Sequence, residues 1–108
     1  MGRVTVAAVV GSWLLISPLW AGEAVEEVTI RDYKFQPAEI TVKVGSTVRW
    51  VNREKRQYHS VWFEERGDPE PDYIFPEEST EYRFDQAGTF NYRCGPHPEM
   101  RGVVKVVE

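Results

Sequence analysis

EVTIRDYKFQPAEITVKVGSTVRWVN, running from Glu27 to Asn52, is the stretch on which the fold turns. Apolar residues recur in it at every second position: Val28 and Ile30, then Ile40, Val42 and Val44, then Val48 and Trp50. A period of two puts alternate side chains on one face of a pleated strand, so the stretch predicts strands with one buried face. Val, Ile, Thr and Trp suit such a surface, and Pro37 and Gly45 punctuate it.

The same pattern continues outward. TEYRF (Thr80 to Phe84) predicts a further strand, and GTFNYRC (Gly88 to Cys94) another that places Phe90, Tyr92 and Cys94 on one face. RGVVKVVE (Arg101 to Glu108) ends the chain with Val104 and Val106 alternating against Val103, Lys105 and Val107. Between these lie a polar turn, NREKRQ (Asn52 to Gln57), and a short apolar run, YHSVWF (Tyr58 to Phe63). A long connection rich in Pro, Gly and acids follows, EERGDPEPDYIFPEEST (Glu64 to Thr80). About seven to eight short strands and no long helix predict an all-β fold, a small two-sheet sandwich whose end loops carry function. Trp50, Trp62, Phe90 and Tyr92 read as core.

A chain of 108 residues is sized for one domain. It begins with a short positive start ending at Arg3, an apolar run VTVAAVVGSWLLI (Val4 to Ile16) and then SPLWAGEA (Ser17 to Ala24). That order predicts a secretory signal peptide over 1–21, cleaved after Ala21 or Ala24, ahead of one domain over 22–108 and a periplasmic location. The rival is an uncleaved anchor. Val4 to Trp20 falls short of the roughly 20 residues a spanning helix wants and contains Gly11, Ser12 and Pro18, so no stable membrane insertion is expected once the leader is removed.

The formal net charge is −4, which argues against nucleic acid as a partner because that role needs a basic face. The chain has one cysteine, so in an oxidising compartment it makes no internal disulfide. Burial, a partner chain or chemistry must account for Cys94, and its neighbours favour chemistry. In CGPHPEM, Cys94 is followed three residues later by His97 and three after that by Met100, with Pro96 and Pro98 stiffening the loop. The second histidine, His59, opens HSVWF. Taken singly, Cys94 and Met100 read as core and His59 as a packed histidine. Together they form thiolate, two imidazoles and a thioether, the set that type I copper centres use. Structural zinc sites, by contrast, rely on cysteine pairs, which are absent.

AGTFNYRCGPHPEMRGVVKV, PAEITVKVGSTVRWVN and YHSVWF together resemble the cupredoxins, the small blue copper proteins that include plastocyanins, pseudoazurins and amicyanins. The spacing of the Cys94–Met100 loop is most similar to that of the amicyanins. The resemblance implies a Greek-key β-sandwich with one copper ion, cycling between Cu(I) and Cu(II), on His59, Cys94, His97 and Met100. It further implies that the His97 ring edge passes electrons. Two positions depart from the family pattern: Ser60 stands where many relatives have Asn, and Gly95 where many have Ser or Thr. The first implies a weaker tie between the two ligand-bearing loops, and the second fewer hydrogen bonds near the sulfur.

The function so implied is electron transport and not enzymatic: a monomer shuttling single electrons between redox proteins such as a dehydrogenase, a cytochrome c or a reductase. The alternative is copper sequestration or delivery, whose sites tend to be exposed and rich in Met and His. A multicopper oxidase ranks last, because RCG brings no histidines beside the cysteine, and a dinuclear centre would need a second cysteine. Arg53, Lys55 and Arg56, with Arg93 and Arg101 flanking the ligand loop, read first as solvated loop charges; the functional alternative is a basic rim near His97 that steers an acidic partner.

Overall fold

The computed structural model describes residues 24–108. Seven strands follow one another: β1 (Val25–Arg31), β2 (Lys34–Gln36), β3 (Glu39–Lys43), β4 (Ser46–Asn52), β5 (Ser79–Phe84), β6 (Gly88–Arg93) and β7 (Arg101–Val107). They form two sheets, ordered β2-β1-β4-β5 and β3-β7-β6. β1 runs parallel to β4 and β3 parallel to β7, while the remaining pairs are antiparallel. Parallel neighbours need a connection that leaves the pair and returns. Here each connection passes through the opposite sheet, which locks the two layers into the expected β-sandwich.

The leader expected over 1–21 lies outside the described residues, as does cleavage after Ala21; Ala24 is the first residue described. Among the described residues no helix is long and apolar enough to cross a membrane.

Alternation produces the core as anticipated. Val28, Ile30, Val48, Trp50 and Val104 are completely buried, with Val42 and Val106 nearly so. Ile40 and Val44 pack against them at the edge. Trp50 sits at the centre, meeting Phe63, Tyr82 and Tyr92 edge to face with ring centroids 5.3 to 6.1 Å apart. Its indole N–H donates to the Tyr92 hydroxyl at 3.1 Å, and burial pushes the Tyr92 phenol up to about 12. The Tyr92 ring lies over Gly102 on the neighbouring strand, in the space a side chain there would need.

The short apolar run YHSVWF is not part of either core sheet; it joins its neighbours only through isolated bridges, His59 with Ile74 and Trp62 with Arg93. The buried side chain of Asn52 explains the turn before it. Its amide donates to the carbonyls of Gln57 and Ile74 at 2.9 and 3.0 Å, and its oxygen accepts from the Glu54 N–H at 2.9 Å. A side chain that meets so many backbone groups substitutes for a ladder. Trp62 is not core either: it is half-buried, with its indole N–H on the Asp68 carbonyl at 2.8 Å. The long connection that follows begins as one turn of 3-10 helix, Glu64–Arg66, ended by Gly67 at φ +91°.

Replacing Tyr92 with Phe removes the acceptor of the buried Trp50 N–H and leaves that donor unpaired, at a cost of about 1–3 kcal/mol. Denaturant unfolding of the two proteins measures this as a lowered midpoint at constant slope.

Candidate metal centre

The donors come from two places on one end of the sandwich. His59 leaves the Asn52-bound turn, and Cys94 follows directly on β6. A loop of seven residues then closes on itself: the Cys94 N–H donates to the Met100 carbonyl at 3.0 Å and the Met100 N–H to the His97 carbonyl at 2.9 Å. These bonds hold His97 above Cys94 and return the chain to β7.

His59, Cys94 and His97 form one cluster whose candidate ligand atoms all lie within 4.8 Å of one another. The Cys94 sulfur is 3.6 Å from His59 Nδ1 and 3.4 Å from His97 Nδ1. Nitrogen and sulfur bound to one first-row metal at 2.0–2.3 Å, spread at near-trigonal angles, stand about 3.6–3.8 Å apart. The spacing therefore fits a single ion. His59 and Cys94 are fully buried, whereas His97 is half-buried. Met100 closes the same loop with its side chain buried in the core cluster that contains Cys94.

Each donor is presented by specific partners. The His59 Nε2 lies 3.1 Å from the Glu54 carboxylate, which also accepts the Tyr33 N–H at 2.8 Å. An ionised Glu54 puts the ring proton on Nε2 and leaves the Nδ1 lone pair facing the cluster. Burial alone would raise the Glu54 carboxyl, but the hydrogen bonds from Tyr33 and His59 outweigh it and hold it below its ordinary value. Burial depresses the His59 imidazole, with Glu54 opposing. Burial also raises the Cys94 thiol, against the backbone N–H groups of Ser60 and His97 and the charge of Arg93. A metal that takes the thiolate must then displace a proton.

Ser60 does more than its size suggested. Its hydroxyl accepts the Gly95 N–H at 2.8 Å, and its own N–H points to the Cys94 sulfur at 3.4 Å, so the tie between the two loops is made. Gly95 has a local reason as well: the Glu70 carboxylate and the Ser60 hydroxyl occupy the space its Cβ would take. The basic rim is less free than its composition implied. Arg53 pairs with Glu77 at 3.1 Å, and Arg93 is largely buried, with 18% of its side chain exposed.

Sequence reasoning missed Glu54 and Tyr33. Glu54 stood unremarked inside a basic turn, and Tyr33 comes from the β1–β2 turn, distant in sequence. Tyr33 packs edge-on against both His97 and His59, with centroids 4.9 and 5.5 Å away. Tyr58 lies on another side of His97 at 6.4 Å and stacks on Tyr73 at 4.8 Å, with Phe75 adjoining. All four of these aromatics are 40 to 50% exposed. No periodicity marks such a rim.

Comparison with known proteins agrees with this geometry. Residues 23–107 match the family of copper binding proteins described as plastocyanin/azurin. The chain is 38% identical to amicyanin of Paracoccus denitrificans over 97 residues, covering 83% of this chain and 73% of that one. It is 37% identical to plastocyanin of Scenedesmus fuscus over 84 residues, 67% of this chain and 85% of the other. The crystal structure of amicyanin from Paracoccus versutus superposes with a TM-score of 0.70 at 36% identity, over 76% of this chain and 80% of that one.

Two outcomes are expected. Glu54→Gln, which keeps the shape and removes the charge behind His59, weakens copper binding about 10- to 100-fold, measured by competition with a chelator. The metal-free protein loses stability at mildly acid pH. The folded-state value of His59 lies below its ordinary 6.5, so below that pH the unfolded chain takes up the proton first. This contribution is complete above 6.5 and falls as pH drops towards the folded value. Denaturant titrations across that window show the slope, and His59→Asn flattens it.

Proposed function

This chain belongs to the plastocyanin/azurin family of copper-binding proteins, and from that premise we propose that it is an exported carrier whose copper is held by His59, Cys94, His97 and Met100. The coarse activity follows from the family: a type I copper electron-transfer protein, not an enzyme. The observation that carries the residue assignment is the convergence of His59 Nδ1, Cys94 Sγ and His97 Nδ1 from two separate segments, at spacings that suit one ion.

When bound, copper supplies one-electron chemistry between Cu(I) and Cu(II). The chain's own residues supply the rest. Cys94 and His59 would present sulfur and nitrogen from a dry interior, the buried Met100 would add a weak thioether, and His97 brings its half-exposed ring to the surface. Ser60 and Glu54 hold the donors so that little backbone has to move between oxidation states, which favours fast transfer. Electrons leave and enter at the His97 edge, among the exposed rings of Tyr33, Tyr58, Tyr73 and Phe75. The partner is a larger redox protein: a dehydrogenase, a cytochrome c or a reductase. The carrier acts as a monomer in the periplasm after its leader is removed, following Ala21 or Ala24. Two fully buried donors, one of them opening a proline-stiffened loop, suit electron transfer better than the open sites of copper delivery.

One equivalent of copper(II) added to the purified mature protein is expected to produce an intense visible thiolate-to-copper band that ascorbate bleaches reversibly. Cys94→Ser abolishes the band while the circular dichroism of the sandwich persists. Retention of the colour in that variant would remove Cys94 from the centre.

A further inference from the structure

Arg93, the last residue of β6, directs its side chain away from the Tyr92 face and is held on every side. Its guanidinium carbon stands 4.7 Å above the Trp62 ring. Nη1 reaches the Glu64 carboxylate at 3.2 Å, Nε donates to the Cys94 carbonyl at 3.2 Å, and Nη2 donates to the Gly95 carbonyl at 2.8 Å. Trp62 is itself anchored through its indole on the Asp68 carbonyl. Its backbone exchanges two hydrogen bonds with that of Arg93, at 2.8 and 3.0 Å.

The consequence falls on Gly95. Its N–H is taken by the Ser60 hydroxyl and its carbonyl by Arg93. The first peptide of the loop is thus gripped from both sides, its Cys94 carbonyl by Arg93 and its Gly95 N–H by Ser60, and the next peptide is held by Arg93 through the Gly95 carbonyl, although glycine itself imposes almost no backbone preference. We propose that Arg93 is a positioning residue for the metal loop: the planar fork, seated on Trp62 and braced by Glu64, sets the departure of the loop from Cys94 before any metal arrives. A lysine has the charge but neither the second arm nor the flat face. The role rests on the reading of Cys94 and His97 as ligands; the tether itself can be examined without metal.

The test is amide hydrogen exchange of the metal-free protein, comparing wild type with Arg93→Lys and Arg93→Gln. Cys94, Gly95 and Met100 are the reporters, because their N–H groups are bonded within the site; amides of the β1–β4 ladder serve as the reference. The expected result is exchange about tenfold faster at the reporters in both variants, with the ladder unchanged. In the copper-loaded proteins, a chelator then removes the visible band correspondingly faster.

Reporter exchange in Arg93→Lys equal to wild type would overturn the proposal, since charge alone would suffice. Equal acceleration of reporters and ladder would also overturn it, since Arg93 would then only stabilise the fold. If the glutamine variant does not fold, the lysine variant decides by the same two comparisons. Failure of the ligand assignment appears elsewhere, as colour retained in Cys94→Ser.

Discussion

Two backbone hydrogen bonds between Trp62 and Arg93 fasten the segment that carries His59 to the strand that delivers Cys94. The rest of the site depends on that seam. Three side chains with lone pairs facing one another, two of them out of water, do not assemble by their own attraction. Their positions are set by backbone geometry and by partners outside the cluster, and the free energy for this comes from the sandwich beneath. Trp50, Phe63 and Tyr92 pack against one another in the buried core that also contains Cys94.

Around the seam, polar partners are distributed with little redundancy. Glu54 orients His59, Ser60 takes the Gly95 N–H, and Asn52 ties the intervening turn. Each is a short polar side chain satisfying a buried or half-buried group, which a satisfied interior requires. A centre supported in this way changes shape little when its charge changes. That property separates a carrier of electrons from a protein that must release its metal.

The surface divides its work. Exposed ion pairs such as Arg49 with Glu81 and Lys105 with Glu39 contribute little, about 0–1 kcal/mol each. Near His97 the exposed groups include the aromatic rings of Tyr33 and Tyr58, the latter joined by Tyr73 and Phe75. A flat aromatic rim suits brief, weakly oriented contact with a partner surface, in keeping with an electron carrier that must bind and leave quickly.

The period-two alternation of Val28 to Trp50 and of Phe90 to Val106 was enough to specify strands, one buried face and a two-layer fold, because burial of alternate residues is a local consequence of the pleat. The Cys94, His97 and Met100 spacing likewise pointed to a metal, since donor chemistry is a property of residue types and a proline-stiffened loop keeps near neighbours near. What alternation could not reach was anything joined across the fold. YHSVWF read only as a short apolar run and is a bridged segment, because Ile74 and Arg93 satisfy the backbone of His59 and Trp62 from elsewhere. Arg93 and Arg53 looked like free rim charges until Glu64, Glu77 and two carbonyls took them up. Glu54 became the partner of His59, and Tyr33 a neighbour of both histidines, only when β1 was laid against β4. Residue types and their spacing determined which atoms could bind; tertiary structure decided which side chains hold those atoms in place, because the holding contacts join residues far apart in the chain.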